Sequence, residues 1–200
     1  MRLGLLYSGG KDSSLAALVL RRFYDVTLVT AHFGVTDDWR HAREAAETLG
    51  FDFTTLELDG EVADRAIQTM REDGFPRHGI EMVHEHALEQ LAAHENPRFD
   101  TVADGTRRDD RVPTVSRAQA QRLEERHDVD YIAPLSGFGR RAVDRLVEAE
   151  LEVTTGPSET IRKADYESEL RALLAERYGE NAAAEVFPES TQTFVEGLRD

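Results

Sequence analysis

Short apolar runs alternate with helical stretches along this chain, which predicts a doubly wound α/β fold on a parallel five-stranded sheet. Two observations carry that expectation. The candidate strands are nearly continuous apolar or β-branched runs, as in strands covered on both faces. Each is followed by a segment with helical spacing and a start or stop signal. At 200 residues the chain fits one domain over 1–200 and can bury a substantial core.

Leu3 to Tyr7 is an apolar run that ends at a glycine pair and reads as a buried strand. Lys11 to Phe23 reads as a helix, with Asp12 or Ser13 as its cap and Leu15, Leu18 and Val19 as its apolar stripe. Val26 to Phe33 is the second strand, and a helix from Thr36-Asp37-Asp38 to Leu49 closes at Gly50. Phe51 to Leu58 alternates as the third strand. Two helices, Glu61 to Glu72 and Gly79 to His94, form an insertion at about 61–94. Phe99 to Asp104 and Val129 to Leu135 are the fourth and fifth strands, with a helix from Thr114 to His127 between them. Arg140 to Ala149 reads as a helix, Leu151 to Thr155 as a short strand and Asp165 to Tyr178 as a helix. The C-terminal extension, about 156–200, is expected to end in a short helix plus tail.

The chain has no cysteine, which excludes disulfides, thiolate metal sites and a cysteine nucleophile. Its N-terminus is too short an apolar run for a signal peptide, and no run approaches bilayer length. The expectation is a cytoplasmic protein with no membrane partner. The net charge is −15, from 39 acids against 24 bases. Such a surface repels polyanions on average. Only two of the bases are lysine, Lys11 and Lys163. High acid content with arginine in place of lysine also suits the salt-adapted cytoplasm of a halophilic archaeon, so the charge has two readings. Lysine is a rotatable point charge and arginine a rigid fork. The two retained lysines, Lys11 and Lys163, are therefore candidate catalytic residues.

The chemistry is concentrated in Tyr7-Ser8-Gly9-Gly10-Lys11-Asp12-Ser13-Ser14, between the first strand and the first helix. Gly9 and Gly10 permit positive φ and let anionic oxygens approach backbone N–H groups. Ser8, Ser13 and Ser14 offer hydroxyls, the helix start offers unpaired N–H groups, and Lys11 offers a full charge. Asp12 fits an anion site if it holds Mg²⁺ against the phosphates or caps the helix. A Walker loop does not match, because Leu5 and Asp12 stand where that motif needs glycine and serine or threonine.

The pattern Ser-Gly-Gly-x-Asp-Ser instead resembles the PP-loop superfamily, the N-type ATP pyrophosphatases, and matches at Ser8, Gly9, Gly10, Asp12 and Ser13. The resemblance covers roughly residues 2 to 135. It implies an adenine nucleotide alpha hydrolase-like fold and ATP with Mg²⁺ as cofactors. It implies cleavage of ATP between the α and β phosphates, transfer of AMP to a carbonyl or carboxylate oxygen, and displacement of AMP by a nitrogen or sulfur nucleophile. By that resemblance the adenine lies beside Ala31 and His32, at the end of the second strand. It also points to Gly105-Thr106 after the fourth strand, expected beside the first. There Arg107, Arg108 or Arg111 could hold phosphate or a substrate carboxylate. Asp109 or Asp110 could join Asp12 at Mg²⁺.

The implied partner is a tRNA or a small metabolite, with sulfur or ammonia delivered by another protein or taken free, and a homodimer is compatible. The enzyme class would be an AMP-forming ligase or a thiolation-type transferase. Two other readings stand beside it. One is an adenine-nucleotide sensor. The other is an NAD- or FAD-type protein, because Gly137-Phe138-Gly139-Arg140-Arg141-Ala142 fits a dinucleotide fingerprint, without the acid expected after the next strand. His78, His84 and His86 cluster with Glu81 and Glu85, but no second copy completes a metal site, and a substrate-facing helix or plain surface is the better reading.

Overall fold

A computed structural model describes every residue except 158–160, 162–163, 190 and 200. Five strands, β1 (Arg2–Leu6), β2 (Asp25–His32), β3 (Asp52–Glu57), β4 (Thr101–Ala103) and β5 (Asp130–Ile132), form the expected parallel sheet. Their order is β3-β2-β1-β4-β5. The order reverses between β1 and β4, so the chain leaves these two neighbours in opposite directions and opens a crevice at their carboxyl ends.

Helices cover both faces. On one lie α1 (Lys11–Leu20), α2 (Trp39–Leu49) and α6 (Arg140–Glu150), packed on Leu3, Leu5 and Leu28. On the other lie α3 (Gly60–Asp73), α4 (Arg77–Ala92), α5 (Arg117–His127) and α7 (Tyr166–Tyr178), packed on Leu6, Val29 and Ala31. The alternation of β1 explains this split, since successive side chains point to opposite faces. Gly4 falls on the α4 side, where an added Cβ would lie 2.8 Å from the Phe99 ring.

Three local expectations are corrected. Neither Asp12 nor Ser13 caps α1, because the helix begins at Lys11 with Gly10 as a cap that makes no side-chain bond. Asp12 thus sits in the first turn with its carboxylate free of capping. α4 begins at Arg77, two residues before the predicted start, directly after Pro76. The last twenty residues hold the short helix α8 (Ala182–Val186) but end in a strand, β7 (Thr191–Leu198).

That strand pairs antiparallel with β6 (Leu151–Pro157) in a separate two-stranded sheet lying on α1 and α2. Phe194 and Val195 are both buried although adjacent, and the register shifts at Glu152/Val153. The strict alternation that would have announced a strand is therefore missing.

The longer of the two helices between these strands, α7, is held by a buried carboxylate. Glu169 of α7 is only 2% exposed and accepts N–H bonds from Phe33 at 2.5 Å, Val35 at 2.8 Å and Thr36 at 3.2 Å. It thereby fixes the turn that follows β2. Glu169→Ala strands three donors and should lower unfolding free energy by about 3 kcal/mol, whereas Glu169→Gln should lose less. Urea denaturation of the two variants measures the difference.

Candidate nucleotide site

The loop after β1 turns sharply at Gly9, whose φ is +75°. Its hydroxyls hold it closed on itself. The Ser8 amide donates to Ser13 Oγ at 3.4 Å, the Gly10 amide to Ser8 Oγ at 3.4 Å, and Ser13 Oγ donates to the Gly10 carbonyl at 3.2 Å. Tyr7 and Ser14 pair beneath it at 3.0 Å, and burial pushes the Tyr7 phenol up to about 12. Thr30 of β2 donates to the Tyr7 carbonyl at 2.7 Å.

The C-terminal strand is built into this loop. The Val195 amide donates to the Gly9 carbonyl at 3.1 Å, and the Lys11 amide to Thr193 Oγ1 at 3.2 Å. A Cβ on Gly9 would meet the Phe194 ring at 3.5 Å. Sequence reasoning missed β7 as part of the site, because nothing local in Thr191–Leu198 points to the loop 180 residues earlier.

The segment after β4 approaches from the other side. An added Cβ at Gly105 would lie 2.9 Å from both the Cα and N of Ser13. Only glycine fits there, since the obstructing atoms are backbone. Asp104, just before it, is 1% exposed. Thr106 donates to its Oδ1 through amide and hydroxyl at 2.9 and 2.6 Å, and Tyr131 donates to its Oδ2 at 2.9 Å. His84 Nε2 lies 2.9 Å from the same oxygen. Burial pushes the Asp104 pKa up, but the bonds from His84 and Thr106 outweigh it and leave it below the ordinary value.

Asp12 has the opposite balance. Arg107 Nε stands 3.4 Å from its Oδ2 and Lys11 Nζ 4.0 Å from its Oδ1, yet Oδ1 is buried with no hydrogen-bond partner. Burial raises its pKa, Arg107 and Lys11 pull it down, Asp110 and Asp144 push it up, and the net shift is upward. Arg107 also binds Asp110 through Nε at 3.0 Å and Nη2 at 2.6 Å, so it bridges the two carboxylates.

These parts line one cavity of about 610 Å³. Tyr7, Ser8, Asp12, Ser13, Ala31, Gly105, Thr106 and Asp110, all singled out in the sequence, are among its lining residues. Gly9, Gly10 and Ser14 of the loop are not among the lining residues, and four further predicted residues stand elsewhere. Lys11 turns towards α6 and pairs with the Asp144 carboxylate, whose pKa its hydrogen bond lowers. His32 stacks on Trp39 at 6.3 Å. Asp109 binds Arg108 at 3.1 Å and accepts the Arg140 amide at 2.9 Å, which keeps both away from the cavity. Arg111 reaches the wall, and Lys163 lies outside the described residues.

The cavity also gathers His84 from the histidine cluster of α4, and two residues that no motif announces, Tyr166 and Arg171 from α7. His84 is the member of the histidine cluster that faces the site, while His78 binds Asp73 at 2.7 Å. Among the described residues no group of three or more potential ligands gathers as a preformed metal cage.

The model of a family of unknown function, DUF7411, matches residues 1–197. The chain belongs to that family. It is 40% identical over 200 residues to the uncharacterized protein MJ0690 of Methanocaldococcus jannaschii, covering 100% of this chain and 97% of that one. A crystal structure described as a predicted subunit of tRNA methyltransferase from the same organism is similar throughout. Its TM-score is 0.90 at 39% identity, over 100% of this chain and 98% of the other. The U34-tRNA thiolase NcsA from Methanococcus maripaludis, with its [4Fe-4S] cluster, shares the fold. Its TM-score is 0.50 at 19% identity, over 74% of this chain and 56% of the thiolase. These relatives give no support to a halophilic origin. No helix among the described residues is long and apolar enough to cross a membrane.

Two substitutions should move stability in opposite directions. Gly105→Ala drives a Cβ into Ser13 backbone and should cost about 1–3 kcal/mol. The raised pKa of Asp12 means that folding penalises its ionised form. Stability therefore falls as pH rises from the ordinary carboxylate pKa through the raised one. Asp12→Asn removes that penalty. It should melt above the parent at neutral pH and converge with it below about pH 4. Melting temperatures from pH 3 to 8 check both.

Proposed function

We propose that this protein is an AMP-forming ATP pyrophosphatase that adenylates an oxygen of a tRNA nucleotide, as a step in modifying it. The observation that carries this reading is the placement of the Ser8–Ser14 loop. It lies at the switch point of the sheet, tightened by Gly9 and pressed by Gly105, and it borders a cavity that reaches Ala31 at the end of β2.

In this reading the phosphates lie over Ser8, Gly9, Gly10 and Ser13, and the adenine lies beside Ala31. The buried orphan oxygen of Asp12 fits a hard cation. Asp12 and Asp110 would hold Mg²⁺, which when bound neutralises charge on the phosphate oxygens. Loop amides and hydroxyls stabilise the charge that grows on departing pyrophosphate. Arg107 keeps Asp12 and Asp110 facing the cavity. Lys11, tied to Asp144, fastens α1 to α6.

The tRNA substrate rests on the descriptions of the methyltransferase-subunit structure and the thiolase. The absence of cysteine means that this chain cannot ligate an iron–sulfur cluster through thiolates. Sulfur or ammonia must come from a separate donor. The dinucleotide alternative finds less support, because the Asp109 carboxylate already occupies the amide of Arg140 where a pyrophosphate would bind. A sensor would bind ATP without releasing pyrophosphate.

Mg-ATP at about 100 times its Kd should stabilise the protein by about 2.7 kcal/mol. That corresponds to roughly 5–10 °C in Tm at this size. NAD and FAD should do far less, and a larger shift with NAD would favour the dinucleotide reading. With tRNA from cells lacking this protein, pyrophosphate should accumulate, and Asp12→Ala should abolish it. Equal pyrophosphate release by Asp12→Ala would sink the assignment of the loop.

A further inference from the structure

The ATP chemistry above leaves one buried polar chain of the cavity without a task. Tyr166 OH lies 2.9 Å from His84 Nδ1, and His84 Nε2 lies 2.9 Å from Asp104 Oδ2. His84 and Tyr166 both line the cavity, and His84 is 5% exposed. We propose that Tyr166, His84 and Asp104 form a proton relay that takes the proton from the nucleophile when AMP is displaced. The inference rests on the adenylation reading and assigns the second half of that reaction.

The protons of the chain can be placed from its chemistry. A carboxylate only accepts, so His84 Nε2–H and Tyr131 O–H both donate to Asp104 Oδ2. In the form the relay uses, with Nε2–H donating to Asp104, the other ring nitrogen Nδ1 carries the lone pair and is aimed at Tyr166. Burial and the nearby Asp165, Asp104 and Glu167 hold the Tyr166 phenol well above its ordinary pKa, so it stays protonated and donates to Nδ1. Asp104 stays ionised because its bonds outweigh burial. A hydroxyl, a basic imidazole and a carboxylate thus stand in series, each within hydrogen-bond reach of the next. This is the order in which a nucleophile–base–orienter triad works.

The step balances without a further reagent. The nucleophile X–H, an amine or a sulfhydryl, forms a bond to the carbon that carries AMP. The C–O bond to AMP breaks, and its electron pair leaves on the phosphate oxygen. The proton of X passes to Tyr166 Oη as the Tyr166 proton moves to His84 Nδ1. The imidazolium so formed is held by the Asp104 carboxylate. Tyr166 never carries a full negative charge, which its buried position would penalise. Tyr166 is the catalytic residue here, and His84 and Asp104 act through it.

A purely structural role, pinning α7 to α4, would affect both half-reactions alike. The test separates them. Exchange of labelled pyrophosphate into ATP reports adenylation, and incorporation from ammonium or sulfide into tRNA from cells lacking this protein reports displacement. In Tyr166→Phe the ratio of incorporation to exchange should fall about 100-fold or more, the size of a general-base contribution. His84→Gln should show the same fall, and it decides the matter if Tyr166→Phe does not fold. An unchanged ratio in either folded variant overturns the relay while leaving adenylation standing. Absence of exchange in the parent overturns the adenylation reading itself, and the relay with it.

Discussion

The contact between Gly105 and the backbone of Ser13 is the constraint on which the site depends. β1 and β4 are neighbours in parallel register, with Leu5 opposite Ala103. The chain leaves β1 into α1 on one face of the sheet and reaches β4 from α4 on the other. Two loops therefore meet at one point, and a side chain at 105 would hold them apart. Because it is absent, Asp12 from the first loop and Asp104 from the second open onto the same cavity. The fold places these carboxylates. Their partners decide what each can do.

The two acids show that division clearly. Asp104 is buried and Asp12 partly so, and burial raises both. Asp104 is saturated by His84, Thr106 and Tyr131, so it stays ionised at a cost already met by hydrogen bonds. Asp12 has one oxygen with no partner and two further carboxylates nearby, so its charge is a burden on the folded protein. A burden of that kind persists where a ligand relieves it. In the proposed function the same physics would make Asp12 a place for a cation, while Asp104 is a fixed anion behind an imidazole. Environments that push two carboxylates apart mark different roles in one site.

Much of the fold was legible because its signals are local. The five parallel strands and the αL stop at Gly50 are written in runs of a few residues. The glycine-rich loop was legible for the same reason. What escaped depends on distance in sequence. His84 stands out in the sequence only as one member of a histidine cluster, and nothing distinguishes it from His78 and His86 until Asp104 and Tyr166 stand on either side of it. Asp144 reads as a solvated helix residue until Lys11 reaches it from 133 positions away. Lys11 itself was read from the motif as a phosphate ligand, yet the nearest anion in the folded chain is a carboxylate on α6. Asp109 was read as a metal ligand, but its neighbours Arg108 and Arg140 claim it first.

The C-terminal segment shows why the site is more than its motif. The resemblance to ATP pyrophosphatases ends near residue 135, but the cavity does not. Tyr166 and Arg171 form part of its wall, Gln192 joins its lining, and Thr193 and Val195 fasten the loop that begins it. Glu169 fixes the turn after β2, beside the place where an adenine would lie. A long charged chain can hold such a segment in place only through buried, fully satisfied contacts, since surface ion pairs contribute little. Buried Glu169 makes contacts of that kind, and Tyr166 and Thr193 add part-buried hydrogen bonds. The Ser8–Ser14 loop is therefore shaped by residues from both halves of the chain, and in the proposed function residues after 150 would determine what can approach an adenylate there.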